Sequence, residues 1–204
     1  MFTGLIREMA TVKSYRNNEL TVEAKYKPCI GDSIAINGAC LTVVKLEPGA
    51  FTVELSPETQ THIETQNLKG KVHMEAAMSM GDRFEGHIVQ GHIDCLGEIT
   101  QIKNNGNSSD FFISIPEEFQ GFLVPKGSIT VDGVSLTINE VTEDGFRLTI
   151  IPHTIKESLF GIYTKGYKVN IETDMFARYI FHLFKPKGKK SVSWDNINKI
   201  TALY

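Results

Sequence analysis

No run of eighteen apolar residues occurs anywhere in the 204-residue chain, so no ordinary membrane-spanning helix is expected. The opening stretch MFTGLIREMA has neither a basic start nor a long apolar run, which predicts no secretion signal. Cysteine is scarce. Cys29, Cys40 and Cys95 form no CxxC pair, and their number is odd. That argues against a disulfide framework and suits a reducing cytoplasm. Excess positive charge is also missing. A net charge of −3 and a pI near 6.1 give no electrostatic reason to expect nucleic acid as a partner. GKKS from Gly188 lacks the earlier glycine of a phosphate-binding loop and reads as a solvated basic linker. What is present is 41% hydrophobic residues, enough for packed cores.

Those cores are written twice. GDSIAINGACLTV begins at Gly31, and KGSITVDGVSLTIN begins at Lys126. One constant offset pairs Ser33 with Ser128, Asn37 with Asp132, Gly38 with Gly133, Cys40 with Ser135, Leu41 with Leu136 and Thr42 with Thr137. Downstream, FTVELSPET from Phe51 matches FRLTIIPHT from Phe146, and KVHME from Lys71 matches KVNIE from Lys168. Near the starts, TGLI from Thr3 matches QGHI from Gln90 at a smaller offset. An insertion in the second copy is therefore expected, most simply in the polar stretch NNGNSSD, Asn104 to Asp110. Four segments matching in order indicate duplication, and each unit has the size of a small domain. The boundary is placed near His87: residues 1–87, residues 88–184, and a tail, 185–204.

Within each copy the segments are short, rich in Val, Ile, Thr and Phe, and broken by turn residues. SIAINGACLTVV reads as strand, Asn-Gly turn, strand, and SITVDGVSLTI repeats this with Asp-Gly. The fold class is all-β: two small antiparallel barrels of about six strands each, closed so that no edge is exposed. Short helices are expected after SPETQT and PHTIKES, with Ser or Thr as N-caps. DMFARYIFHLF, from Asp174, changes to helical spacing, with Phe176, Tyr179, Ile180, Leu183 and Phe184 on one stripe. Asp174 suits the N-cap. The stripe either packs on its own barrel or joins subunits. The tail beyond it begins basic and ends in a short helix from Ser193.

Taken together, MFTGLI, GDSIAINGACLTV, GHIVQGHID, KGSITVDGVSLTIN and IPHT closely resemble the riboflavin synthase family over about residues 1–178. The resemblance implies two six-stranded lumazine-binding barrels, a C-terminal helix and a homotrimer formed through those helices. It implies an enzyme that takes two molecules of 6,7-dimethyl-8-ribityllumazine and moves a four-carbon unit from one to the other. Riboflavin and 5-amino-6-ribitylaminouracil are released, with no cofactor and no metal. The reacting pair is held between the first barrel of one subunit and the second barrel of its neighbour. Lumazine synthase is a further implied partner. The alternative is a non-catalytic lumazine- or flavin-binding protein, whose members tend to lose the catalytic residues of the second barrel.

The resemblance also points to residues, each with a plainer reading. Cys40 is either a small buried hydrophobe or the group that adds to a ring carbon. Ser135 is either a strand hydroxyl or a group that activates a nucleophile and steadies a carbanion. His92, matched by Leu5 in the first copy, places a proton-moving side chain in one half alone. His87 reads as structural, and His62, His73 and His182 as surface or packing residues. The spacing of His87, His92 and Cys95 fits no zinc pattern, so no metal is expected. Asp132 either forms the hairpin turn or orients Ser135, and Asp174 either caps the helix or reaches the site. Substrate binding in the first barrel is assigned to Gly4, Leu5, Ile6, Cys40, Leu41, Thr42, Glu54, Leu55, Ser56, Pro57, Glu58 and Thr59. In the second barrel it is assigned to Gly91, His92, Ile93, Lys126, Ser135, Leu136, Thr137, Thr149, Ile150, Ile151, Pro152, His153 and Thr154. His153 stands where many relatives carry an acid. Strand-edge N–H and C=O groups suit the pyrimidinedione ring, and Ser and Thr hydroxyls suit a ribityl chain.

Overall fold

A computed structural model describes residues 1–184; the expectations for the tail lie outside the described residues. The first copy forms β1 (Glu8–Arg16), β2 (Glu19–Glu23), β3 (Ser33–Ile36), β4 (Ala39–Glu47), β5 (Ala50–Glu54) and β6 (Lys71–Ala76). These close into an antiparallel barrel in the order β1-β2-β5-β4-β3-β6. The second copy forms β7 (Cys95–Asn104), β8 (Ser109–Ser114), β9 (Ser128–Val131), β10 (Val134–Thr137), β11 (Glu140–Val141), β12 (Gly145–Ile150) and β13 (Lys168–Thr173). Its order, β10-β9-β13-β7-β8-β12-β11, repeats the first, with β10 and β11 standing where β4 runs unbroken. The count of seven strands against six is thus one strand interrupted near Ile138 and Asn139. A register shift between Val12 and Ser14 in β1 recurs between Ile99 and Gln101 in β7, where a bulge helps a short strand curve.

Both hairpin turns are as expected. Ile36 pairs with Ala39 across Asn37-Gly38, and Val131 pairs with Val134 across Asp132-Gly133. All four turn residues take positive φ. Each barrel is filled by its own apolar cluster, around Phe51, Ile34 and Leu55 in the first and Phe146, Ile129 and Phe160 in the second. Burying each such side chain contributes about 1.5–3 kcal/mol.

The insertion is split rather than confined to NNGNSSD. Glu19 pairs with Glu54, and Asp110 pairs with Thr149, so part of the extra length lies in the β7–β8 loop. The rest lies between β8 and β9 and folds into α2 (Glu117–Gln120). That second part seats α4 (Met175–Phe184): Phe122 and Phe181 meet edge to face at 5.0 Å. Phe181 also lies over Gly121, where an added Cβ would come within 2.5 Å of its ring. Asp174 caps α4 as expected, its Oδ1 accepting from the N–H of Phe176 at 2.7 Å and of Ala177 at 3.3 Å. Ser56 caps α1 (Pro57–His62) through its hydroxyl, whereas α3 (Pro152–Glu157) has no side-chain cap and starts on Pro152. The stripe expected to find a partner is 55–80% exposed at Phe176, Tyr179, Ile180, Leu183 and Phe184.

The barrels are related by an internal twofold. Phe2 and Val89, equivalent in the repeat, exchange backbone hydrogen bonds at 2.8 and 3.1 Å. The His73 imidazole donates from Nδ1 to the Asp132 carbonyl at 2.8 Å, while Asn170, its counterpart, donates to the Asn37 carbonyl at 2.9 Å. These polar groups are buried at the seam.

Candidate active site

The twofold sends each copy's leading segment into the other barrel. Glu75 on β6 accepts the N–H of Thr3 at 2.8 Å and of Gly4 at 3.0 Å; Glu172 on β13 accepts those of Gln90 and Gly91, both at 2.8 Å. Held in this way, Gly4 offers its carbonyl to the Ser135 N–H, and Gly91 offers its own to the Cys40 N–H, each at 2.8 Å. The approach leaves no room for a side chain. A Cβ on Gly4 would lie 2.6 Å from Ser135 Cβ, and one on Gly91 would lie 2.6 Å from Cys40 Cβ. Ile6 packs on the second barrel's core, and Ile93 on the first's. The expected assignment is therefore exchanged: Gly4, Leu5 and Ile6 serve the Ser135 side, and Gly91, His92 and Ile93 serve the Cys40 side. The repeat aligns like with like and does not say which barrel a segment enters.

On the Cys40 side a cavity of about 440 Å³ opens between α1, the start of β4 and the crossing segment. Cys40, Ser56, Glu58 and Thr59, assigned to this barrel, line it with Gly91, His92 and Ile93, which were assigned to the other, and with Ala39, His62 and Ile63. His62, read as a surface or packing residue, turns its ring on Glu58: its Nδ1 lies 2.8 Å from the Glu58 carbonyl oxygen. Leu41 and Leu55 belong to the barrel core, while Thr42, Glu54 and Pro57 are exposed.

On the other side His87, read as structural, lies against Ser135. Its Nδ1 stands 2.7 Å from Ser135 Oγ. Burial holds the His87 pKa below the ordinary imidazole value, and the nearby Asp174 charge pulls it back up. A neutral imidazole beside a hydroxyl is able to take its proton, and a carboxylate close by favours the imidazolium that results. The sequence held one clue, the doubled Gly-His-Ile at Gly86 and Gly91. A proton-moving side chain thus stands on both sides, not in one half alone.

Asp132 does not orient Ser135. Its Oδ2 accepts from the Tyr163 hydroxyl at 2.5 Å and its Oδ1 from the Asn170 N–H at 2.7 Å, and burial pushes its pKa up to about 7. It locks the seam between the barrels. Thr149 donates to Asp110 Oδ1 at 2.6 Å, and Ile150 is core. Leu136 packs partly on that core. Thr137, Ile151, Pro152 and His153 are exposed, and Thr154 is half-buried. Lys126 is exposed and takes φ +65°, a left-handed conformation that its first-copy counterpart meets with Gly31. Among the described residues no cluster of three or more His, Cys, Asp or Glu is placed to hold a metal ion.

A duplicated barrel with such crossing segments is the architecture of the lumazine-binding proteins. The sequence profile of the lumazine binding domain matches residues 3–77 and again 90–174. The fold resembles the crystal structure of LumP complexed with riboflavin, with a TM-score of 0.75 at 20% identity over 85% of this chain and 99% of that one. Closer in sequence are riboflavin synthases. That of Photobacterium phosphoreum is 40% identical, over 98% of both chains. That of Bacillus subtilis is 41% identical, over 98% of this chain and 96% of the relative. The chain belongs to the riboflavin synthase family.

Proposed function

We propose that the protein dismutates two molecules of 6,7-dimethyl-8-ribityllumazine into riboflavin and 5-amino-6-ribitylaminouracil. Two related pockets suit a reaction between two copies of one compound. Holding both face to face makes the step effectively unimolecular, which lowers the barrier by up to about 7–11 kcal/mol. The unlike pockets suit unlike roles. The observation that carries the reading is the 2.7 Å contact of His87 with Ser135. In this reading His87 takes the Ser135 proton when Ser135 in turn draws a proton from a nucleophile; with its proton kept, the same hydroxyl donates a hydrogen bond that steadies the carbanion left when a C7 methyl is deprotonated. Asp174 supports the charged imidazole by its field while capping α4. Cys40 and His92 face the second lumazine in the other pocket, where His92 moves the protons. Lys126 binds substrate beside the Ser135 barrel.

The reading includes a homotrimer joined through the exposed stripe of α4, which would bring a Cys40 pocket against a neighbour's Ser135 pocket. It also includes a cytoplasmic setting, consistent with three free cysteines, and lumazine synthase as the partner supplying substrate. The test is direct. Purified protein mixed with the dimethyl lumazine is expected to yield riboflavin's absorption spectrum. Substrate that is bound but unchanged would make the protein a carrier.

A further inference from the structure

Helix α4 does more than lie on its barrel. From its inner face the Arg178 guanidinium donates through Nη1 to Asp94 Oδ1 at 2.6 Å and through Nη2 to Gln90 Oε1 at 2.8 Å. These two acceptors are the ends of the segment that crosses into the Cys40 pocket. Asp94 is fixed in turn by the N–H and hydroxyl of Thr173, at 2.7 and 2.6 Å. Behind the segment, Glu172 accepts three successive backbone N–H groups, from Gln90 to His92. Burial pushes the Glu172 carboxyl up to about 7, and the Arg178 charge works against that, favouring the ionised form that accepts these bonds. The first copy has no such brace: the residue in Asp94's place is Arg7, which offers no side-chain acceptor.

We propose that Arg178 is a positioning residue of the Cys40 pocket: from α4 it grips both ends of segment 90–94, so that His92 and the Gly91 carbonyl stay set against Cys40. The inference rests on the pocket reading above. A planar two-pronged donor suits the task because it fixes two acceptors in one geometry, which a point-like ammonium does not. It also means that the helix with the exposed apolar stripe holds the Cys40 pocket by direct hydrogen bonds, while it meets the Ser135–His87 pair through the charge of its cap, Asp174.

The test uses the full chain and its three cysteines. Alkylation by iodoacetamide is followed peptide by peptide, with and without riboflavin, for the unaltered chain, Arg178→Met and Arg178→Lys. Riboflavin is expected to slow alkylation of Cys40 and not of exposed Cys29. In Arg178→Met the riboflavin concentration needed for that protection rises about tenfold and kcat falls about as much, as expected for losing a charge-assisted pair. Arg178→Lys restores part of both. Gln90→Ala, which removes one prong's acceptor, reproduces a smaller loss and serves if Arg178→Met does not fold. Unchanged Cys40 protection and kcat in the folded variants would overturn the proposal. So would equal exposure of buried Cys95, which marks general loosening. No protection of Cys40 in the unaltered chain would sink the pocket reading itself.

Discussion

Cys40 and Ser135 stand at the same place in two barrels written from one pattern, yet the groups around them differ. Cys40 faces an open cavity with His92 and His62. Ser135 has buried His87 at 2.7 Å, with the Asp174 charge nearby. The backbones that create both places are the same: a glycine carbonyl on the strand N–H, and a buried glutamate behind the glycine. Duplication kept the frame and changed the side chains. The reaction asks for this, because its two identical substrates must leave as different products. The second copy also gained α2, and with it a seat for α4. The barrel with the serine therefore also carries the surface we assign to assembly.

The largest effects should come from removing the pair that only the second site has. Ser135→Ala and His87→Ala are each expected to lower kcat about 10²- to 10⁴-fold with little change in riboflavin binding. Because the two act as a unit, the double variant should be hardly worse than the weaker-working single. His92→Ala should likewise slow turnover more than it weakens binding, through the other pocket. Steady-state kinetics with an unaltered kcat would strike that residue from the catalytic set.

The exchange of leading segments comes next. Gly4→Ala and Gly91→Ala each push a Cβ into backbone at a positive φ, so each should cost about 2–4 kcal/mol in denaturant unfolding. The crossed geometry sharpens this. Gly91→Ala should change Cys40 alkylation, and Gly4→Ala should leave it much less affected. Equal disturbance of Cys40 by both would contradict the crossing.

Much of the fold was legible in the sequence because its signals are local. Asn37-Gly38 and Asp132-Gly133 announce hairpins by conformational need alone, and Asp174 announces a helix start. The repeat supplied the duplication. What stayed hidden is non-local. No spacing says that Gly4 lies against Ser135, some 130 residues away, or that His87 reaches that serine's hydroxyl. Asp132 shows the converse. A carboxylate three residues from Ser135 invites a catalytic reading, but a strand alternates its faces, and the hairpin turn carries this side chain into the seam with Tyr163. Leu41 and Leu55 fail as pocket residues for the same reason: they sit within binding segments but point into the core.

The seam itself differs between halves, and the difference is readable in pH. His73 is wedged with Nδ1 donating to Asp132 and Nε2 accepting the Leu159 N–H at 2.8 Å, so burial and the lack of room for a second proton hold its pKa down to about 4. The unfolded chain, with a pKa near 6.5, takes up that proton first, so this histidine costs stability as pH falls from about 6.5 to 4, by up to about 3 kcal/mol. Asp132 and Glu172, both raised to about 7, work in the opposite sense. They lose stability as pH rises from about 4 to 7, because the unfolded carboxyls release protons that the folded ones keep. His73→Asn, the residue used at Asn170, should be less stable near neutrality by about 1–2 kcal/mol. The gap should narrow in acid, leaving the carboxyl slope unmasked in urea unfolding from pH 4.5 to 7.5. A gap that stays constant with pH would show that His73 carries no proton linkage.

The smallest effect tests whether a strained residue is kept for its side chain. Lys126 holds φ +65° where the first barrel uses Gly31 at +92°. A lysine there costs about 1–2 kcal/mol in backbone strain, offset in part by the entropy that glycine would lose on folding. Lys126→Gly should therefore stabilise the protein by roughly 0.5–1 kcal/mol in denaturant unfolding. Such a gain, available by one substitution yet not taken, points to work for the ammonium beside the Ser135 barrel. The same variant should accordingly raise KM for the dimethyl lumazine about tenfold, as expected for losing one charged contact. Placing the charge in the other half instead, Gly31→Lys, should cost stability and return no activity. If Lys126→Gly is both more stable and fully active, the strain is not maintained by function, and Lys126 leaves the list of groups that distinguish the two pockets.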